Sequence, residues 1–215
     1  KITNTFENYN VEFDGALFDG TVLMTSATVT SKDGTAFADG NYDFERIQFP
    51  EGAKGGVGGC SLNDDGSLRV YCTMFYDNAD VQPTTYTLGG FCRYPDDPSR
   101  YEMLDGGYMS VEFDIDADCE TLNFTLTDLD GNAVEAKLSP ISLKLTPNSA
   151  LNVQYDYDSI TLLGEDGALL TPQDIIYAGS ETDSKTGRES RILFFTKPVD
   201  IASVTAITGD AYAAE

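Results

Sequence analysis

Apolar residues along this chain return at every second position, and that spacing constrains the fold more than any other feature. In YMSVEFDI, Met109, Val111, Phe113 and Ile115 fall on one side and Tyr108, Ser110, Glu112 and Asp114 on the other; in TLNFTLTD, Leu122, Phe124 and Leu126 alternate with Asn and Thr. A backbone whose successive side chains point to opposite faces buries such a set as a half-buried β-strand. LRVYCTMFY, TTYTLGGFCRY, ISLKL, LNVQYDY, ITLL, RILFF and SVTAI read the same way, rich in β-branched and aromatic residues and bounded by Gly, Pro, Asn and Asp. No segment of three turns carries a helical period; a single helical turn is expected near TPQDIIYAG.

Between the alternating runs Asp-Gly recurs eight times, at Asp14, Asp19, Asp33, Asp39, Asp65, Asp105, Asp130 and Asp166. Gly supplies the positive φ that a tight hairpin demands, and Asp at such a corner accepts a nearby backbone N–H. The pairs are therefore read as turns rather than as metal ligands or catalytic acids. Asp14 and Asp19 stand too close to close two hairpins, so one of them is expected at a bulge or in a loop.

The chain has 215 residues, enough to bury a real core, with 13 Lys and Arg against 36 Asp and Glu and a formal net charge of −23. Such a surface repels phosphate backbones and anionic lipid, which argues against nucleic-acid and peripheral membrane binding. No apolar run reaches the roughly 18 residues needed to cross a bilayer. The start, KITNTFENYN, lacks the charged and apolar regions of a leader, and an opening Lys1 without Met is expected of a mature form or a fragment.

A composition shift lies near residue 135. Upstream the chain is Gly-rich and contains all the cysteines, with PEGAKGGVGG expected as a flexible loop; downstream, SPISLKLTP opens a Cys-free half. Short strands bounded by turns need a second sheet to cover their apolar faces. The expected fold is all-β: two tandem immunoglobulin-like β-sandwiches, residues 1–135 and 136–215.

With no His, Ser-His, Cys-His and His-metal catalysis are excluded. A pair of carboxylates hydrolysing a glycoside is the remaining enzymatic reading, weakened by the lack of Trp as a sugar platform. DIDADCETLNFT places Asp114, Asp116 and Asp118 at the first, third and fifth positions of a calcium loop, but Cys119 stands where that loop needs Gly and Thr125 where it needs Glu. It fails as an EF-hand, and an irregular calcium site or a solvated strand end are the alternatives. Lys185-Thr186-Gly187 matches one fragment of the penicillin-recognising enzymes, without the Ser-x-x-Lys that would carry the nucleophile. GAKGGVGG lacks the ending of a phosphate loop, and Asn123-Phe124-Thr125 is a glycosylation triplet inside an expected strand. In CSLNDDGSLRVYC, a hairpin at Asp65-Gly66 brings Cys60 and Cys72 nearly opposite, either as a disulfide or as two small apolar thiols; Cys92 and Cys119 complete an even set. No residue is assigned a catalytic, cofactor-binding or metal-binding role.

The order SPISLKL, ITLLGEDGALL, TDSKTGRES and RILFFTKPVDIASVTAITGD resembles the C-terminal β-sandwich of anti-sigma-factor-like membrane proteins of Gram-positive bacteria, and ALFDGTVLMTSATV resembles the hairpin of the domain preceding it. The resemblance implies an extracytoplasmic region tethered by an upstream transmembrane helix outside this chain, non-enzymatic, relaying an envelope signal through an unknown protein or envelope ligand. The alternative is a secreted or wall-attached, adhesin-like module for glycan or protein. Within the matched ending, Pro198 is expected to stop the ILFF strand, Asp200 to cap the turn Ile201-Ala202-Ser203, and Val204 and Ile207 to return to the core.

Overall fold

A computed structural model describes residues 1–76, 84–94, 101–115, 119–147, 159–183 and 185–212. Its regular structure is β-strand arranged in four antiparallel sheets, none closed, with two short 3₁₀ turns. The chain divides into two compact units, Lys1–Ala117 and Asp118–Glu215. The boundary expected near residue 135 would cut the strand Ala133–Leu138, which pairs with neighbours on both sides, so the division instead precedes the first strand of that sheet. The shift in composition there marks a change of residue usage within one sheet.

In the first unit the strands are β1 (Ile2–Asn4), β2 (Tyr9–Phe18), β3 (Val22–Ser31), β4 (Asn41–Gln48), β5 (Ala53–Leu62), β6 (Leu68–Tyr76), β7 (Thr85–Tyr94) and β8 (Glu102–Glu112). They form two sheets, ordered β1-β8-β7-β4 and β2-β3-β6-β5. Alternation explains the packing. Val11, Leu23, Val29, Val70, Cys72 and Met74 from the second sheet share one buried cluster with Tyr42, Phe44, Tyr86, Leu88, Phe91 and Met109 from the first. At its centre the Phe91 ring meets Tyr9, Phe37, Tyr42 and Phe44 at centroid distances of 4.9, 5.8, 5.9 and 5.2 Å. Edge-on and offset contacts of this kind add to the burial of the rings themselves.

The corners follow Asp chemistry. Asp19 closes the β2–β3 hairpin, its carboxylate accepting the Thr21 and Val22 N–H groups at 3.0 and 2.8 Å, while Asp14 lies at a bulge between Phe13 and Gly15. Between β5 and β6, Asp65 accepts from the Ser67 N–H and hydroxyl at 2.9 and 2.6 Å, and Gly66 takes the left-handed φ of 80° that an L side chain resists. Asp105-Gly106 departs from the expected pattern: it lies inside β8, where the buried Asp105 accepts the Asn8 and Gly107 N–H groups at 2.7 and 2.9 Å and ties the N-terminal segment to the sheet. PEGAKGGVGG is likewise not a loop. Most of it is β5, held by the β6 ladder, with a bulge near its start between Ala53 and Gly55.

In the second unit β9 (Leu122–Thr127), β10 (Ala133–Leu138), β11 (Ser142–Pro147), β12 (Thr161–Gly164), β13 (Gly167–Leu170), β14 (Ile175–Thr182), β15 (Glu189–Phe195) and β16 (Ala206–Thr208) build sheets ordered β14-β15-β11-β10-β9 and β13-β12-β16. Val134, Ala136, Leu138, Leu143 and Leu145 line the inner face of the larger sheet and Ile160, Leu162 and Ile207 are buried from the smaller. The helical turn expected near TPQDIIYAG is Pro172–Asp174, but Ile175 then opens a strand that the sequence reading did not anticipate. Strand β15 ends before Pro198, and Asp200 caps the turn Ile201–Ser203 by accepting the Ala202 N–H at 3.1 Å. The expected strand LNVQYDY lies outside the described residues.

Three outcomes test this packing. Phe91→Ala lowers stability by about 3–5 kcal/mol in chemical denaturation, the range for emptying a packed aromatic site. In β5, an added methyl at Gly56 would lie 2.8 Å from the Thr73 carbonyl oxygen and 2.9 Å from the Phe49 ring, whereas at Gly59 it meets nothing within 4 Å. Gly56→Ala therefore costs more than about 1 kcal/mol and Gly59→Ala stays within about 0.5 kcal/mol. Hydrogen bonds from Ser31 and Thr35 hold the Asp33 carboxyl down, from 3.8 to about 2. Its contribution is present above the unfolded value and fades as pH falls through that interval, so Asp33→Asn shows a shallower acid loss of stability than the parent.

Candidate binding cleft in the second unit

Among the described residues, those singled out in the sequence do not converge on a reactive centre. Asp114 is described, but Asp116 and Asp118 lie outside the described residues, and among the described residues no group of three or more Cys, Asp and Glu is placed to hold a metal ion. Asp183 turns the Lys185-Thr186-Gly187 segment by accepting the Lys185 and Thr186 N–H groups at 2.7 and 2.9 Å. Asn123 lies on strand β9, as expected, and is exposed there.

Cys60 and Cys72 are free thiols. Gly58 pairs with Cys72 and Cys60 with Val70, so the two cysteines stand one diagonal step apart. That step spans about 7–8 Å between backbones, longer than the span a disulfide closes without distortion. Burial pushes the Cys60 thiol well up and raises Cys72 to about 11, the latter despite a hydrogen bond with Tyr86 that works the other way. Cys92 is raised for the same first reason and donates to the Asp43 carbonyl at 3.3 Å. These groups are poor nucleophiles near neutral pH.

A recess that could receive another molecule lies in the second unit. In β9 the residues Leu122, Phe124 and Leu126 pair with Leu138, Ala136 and Val134 of β10 and so belong to the inner face of the large sheet. Their cover thins along the strand: Leu126 is 9% exposed, Phe124 half-buried and Leu122 38% exposed. The facing sheet ends in β16, three residues long, and does not reach across to them. The space left is a cleft of about 290 Å³ with Leu122, Phe124 and Leu138 on one wall and Val204 and Ile207 on the other.

One end of the cleft is pinned. Asp128 and Tyr212 form an antiparallel bridge, and the Asp128 carboxylate accepts the Asp130 and Asn132 N–H groups at 3.0 and 2.7 Å and the Asn132 side-chain amide at 3.0 Å. Burial opposes the charge on Asp128, yet these donors hold its carboxyl below the ordinary range. Sequence reading recognised the alternation of β9 and the return of Ile207 to the core. It missed the cleft, because nothing local in TLNFTLT tells whether a facing strand is long enough to cover it.

No family model and no curated protein matches this sequence. A crystal structure described as that of the conserved domain protein from Bacillus anthracis is similar in fold, with a TM-score of 0.50 and 11% identity, covering 94% of this chain and 74% of that one. At that identity the likeness concerns architecture alone.

The thiol geometry is checked by titration with a disulfide reagent near neutral pH. Cys60, Cys72 and Cys92 react slowly in the native chain and promptly once it is unfolded in denaturant.

Proposed function

We propose that the chain is a non-enzymatic, extracytoplasmic interaction region, built of two tandem immunoglobulin-like sandwiches, that relays an envelope signal for a membrane-anchored, anti-sigma-factor-like regulator. The observation carrying this reading is a strand order that occurs twice. With β1 set aside, β2-β3-β6-β5 facing β4-β7-β8 follows the order A-B-E-D facing C-F-G of a constant-type immunoglobulin domain. With β9 set aside, β10-β11-β15-β14 facing β13-β12-β16 follows A-B-E-D facing C′-C-F. A sandwich of this kind hosts many unrelated functions, and function belongs to the surfaces and sites it presents.

Six described aspartates, Asp19, Asp33, Asp65, Asp128, Asp183 and Asp200, are each engaged by backbone N–H groups of their own turns, which accounts for them as turn and cap residues. The regulator part of the reading rests on the resemblance of the Phe195–Ile201 ending, in which Phe195, Val199 and Ile201 are buried and Asp200 caps the turn. A second reading, an adhesin-like surface module for glycan, draws on Tyr101 and Tyr108 of the first unit, exposed at 52% and 47%, with the Tyr94 and Tyr101 rings 6.2 Å apart.

The deciding measurement is the coding sequence immediately upstream of Lys1, followed by a sigma-factor capture assay with the piece it encodes. A span of about 20 apolar residues behind a short cytoplasmic segment that captures a sigma factor is the expected result. A cleavable leader with no membrane helix on either side overturns it in favour of the surface module.

A further inference from the structure

We infer that the outer face of the β1-β8-β7-β4 sheet carries a binding notch for an uncharged saccharide, floored by Gly89 and walled by Tyr108 and Arg46. The inference deepens the glycan reading of Tyr101 and Tyr108 and rests on it, not on the membrane tether.

Strand register builds the notch. Gly89, the fifth of the ten residues of β7, pairs with Arg46 of β4 on one side and with Tyr108 of β8 on the other, so the three stand in one line across the sheet. A methyl added at Gly89 would lie 3.6 Å from the Tyr108 Cβ and 3.7 Å from the Arg46 Cβ, which puts all three on the same face. Tyr108 is 47% exposed and the Arg46 side chain 81%, so that face looks outward. The two walls rise about 10 Å apart, two strand spacings, and the residue between them has no side chain.

The ends of the notch add polar groups. At one, the Glu45 carboxylate and the Met103 methyl meet beside Gly90, where an added methyl would be 3.0 Å from Glu45 Oε2 and 3.6 Å from Met103 Cε, and the Tyr101 hydroxyl donates to Glu45 Oε1 at 3.3 Å. At the other, two residues back along β7, the Thr87 hydroxyl donates to the Ser110 hydroxyl at 3.0 Å. A phenol ring on one wall, a guanidinium on the other, and a carboxylate and hydroxyls at the ends suit a pyranose. Its C–H face packs on an aromatic ring, and its rim of hydroxyls needs both donors and acceptors.

Charge and backbone pairing select this occupant over others. Arg46 and Glu45 offset each other, Nε lying 3.8 Å from Oε2, so the notch is balanced within a chain of net charge −23. An acidic ligand or a second copy of the chain is repelled on approach, and an uncharged ligand is not. β7 lies between β8 and β4, so its backbone groups are committed to ladders on both sides and an extended peptide finds no edge there to pair with.

The test titrates the full chain with neutral oligosaccharides of glucose, mannose, galactose and N-acetylglucosamine, with oligogalacturonate as the acidic control. Calorimetry follows binding, together with tyrosine fluorescence, which no Trp obscures. At least one neutral oligosaccharide binds and the acidic one does not. Tyr108→Ala weakens that binding about tenfold or more, whereas Tyr108→Phe, which keeps the ring, stays within about threefold. Gly89→Val fills the notch and abolishes binding with the melting temperature retained, since a first added carbon meets only ordinary contacts and valine suits a strand. Tyr177→Ala, which removes an exposed ring of the second unit, leaves binding unchanged. Binding that survives both Gly89→Val and Tyr108→Ala overturns the notch and leaves the glycan reading standing; no binding across the panel overturns both. Preference for oligogalacturonate, or self-association that Tyr108→Ala abolishes, also overturns the inference, because the notch then serves an anion or a second copy.

Discussion

One-sided burial governs this protein. Each alternating strand carries an apolar face that is unfavourable in water, and a strand can hide that face only against a second sheet. The first unit meets the demand fully. The chain passes from one sheet to the other between β1 and β2, β3 and β4, β4 and β5, and β6 and β7, so that four of its seven connections tie the two layers to each other. The aromatic set around Phe91 draws on both sheets and a loop, which explains why these layers have one arrangement in register.

In the second unit the same demand is met unevenly. A five-stranded sheet faces a three-stranded one whose last member is three residues long. The inner face of β10 and β11 is covered and that of β9 is covered only at Leu126, leaving Leu122 and Phe124 partly in water. The acidic surface bears on this gap. A high negative net charge disfavours edge-to-edge pairing of identical molecules.

Much of the architecture was legible in the sequence for plain physical reasons. Period-two alternation fixed the strands β6, β7, β9, β12 and β15 almost to the residue, because side-chain direction in a strand is a local property. Asp19 and Asp65 were readable as corners for the same reason. Longer-range facts were not. Asp105 looks like a turn residue but is a buried anchor whose partner, Asn8, is nearly a hundred residues away. GAKGGVGG has the composition of a loop and becomes a strand because β6 offers it a ladder, tertiary pairing outweighing local preference. The domain boundary was misplaced where residue usage changed inside a sheet, and the cleft was invisible because it depends on the length of a strand some eighty residues downstream.

The glycine-rich β5 also bears on how the first sandwich finds its alignment. Alternation normally acts as a ruler, since slipping a strand by one residue would turn its apolar side chains outward. Gly55, Gly56, Gly58 and Gly59 have no side chains to misplace, so the middle of β5 carries almost no such graduation. Its alignment to β6 is set from the ends, by the Asn63–Ser67 turn and by the bulge between Ala53 and Gly55. This edge is thus a sliding scale clamped at two points, and a change in the length of its turn would be absorbed there with less penalty than at any strand that wears its pattern in side chains.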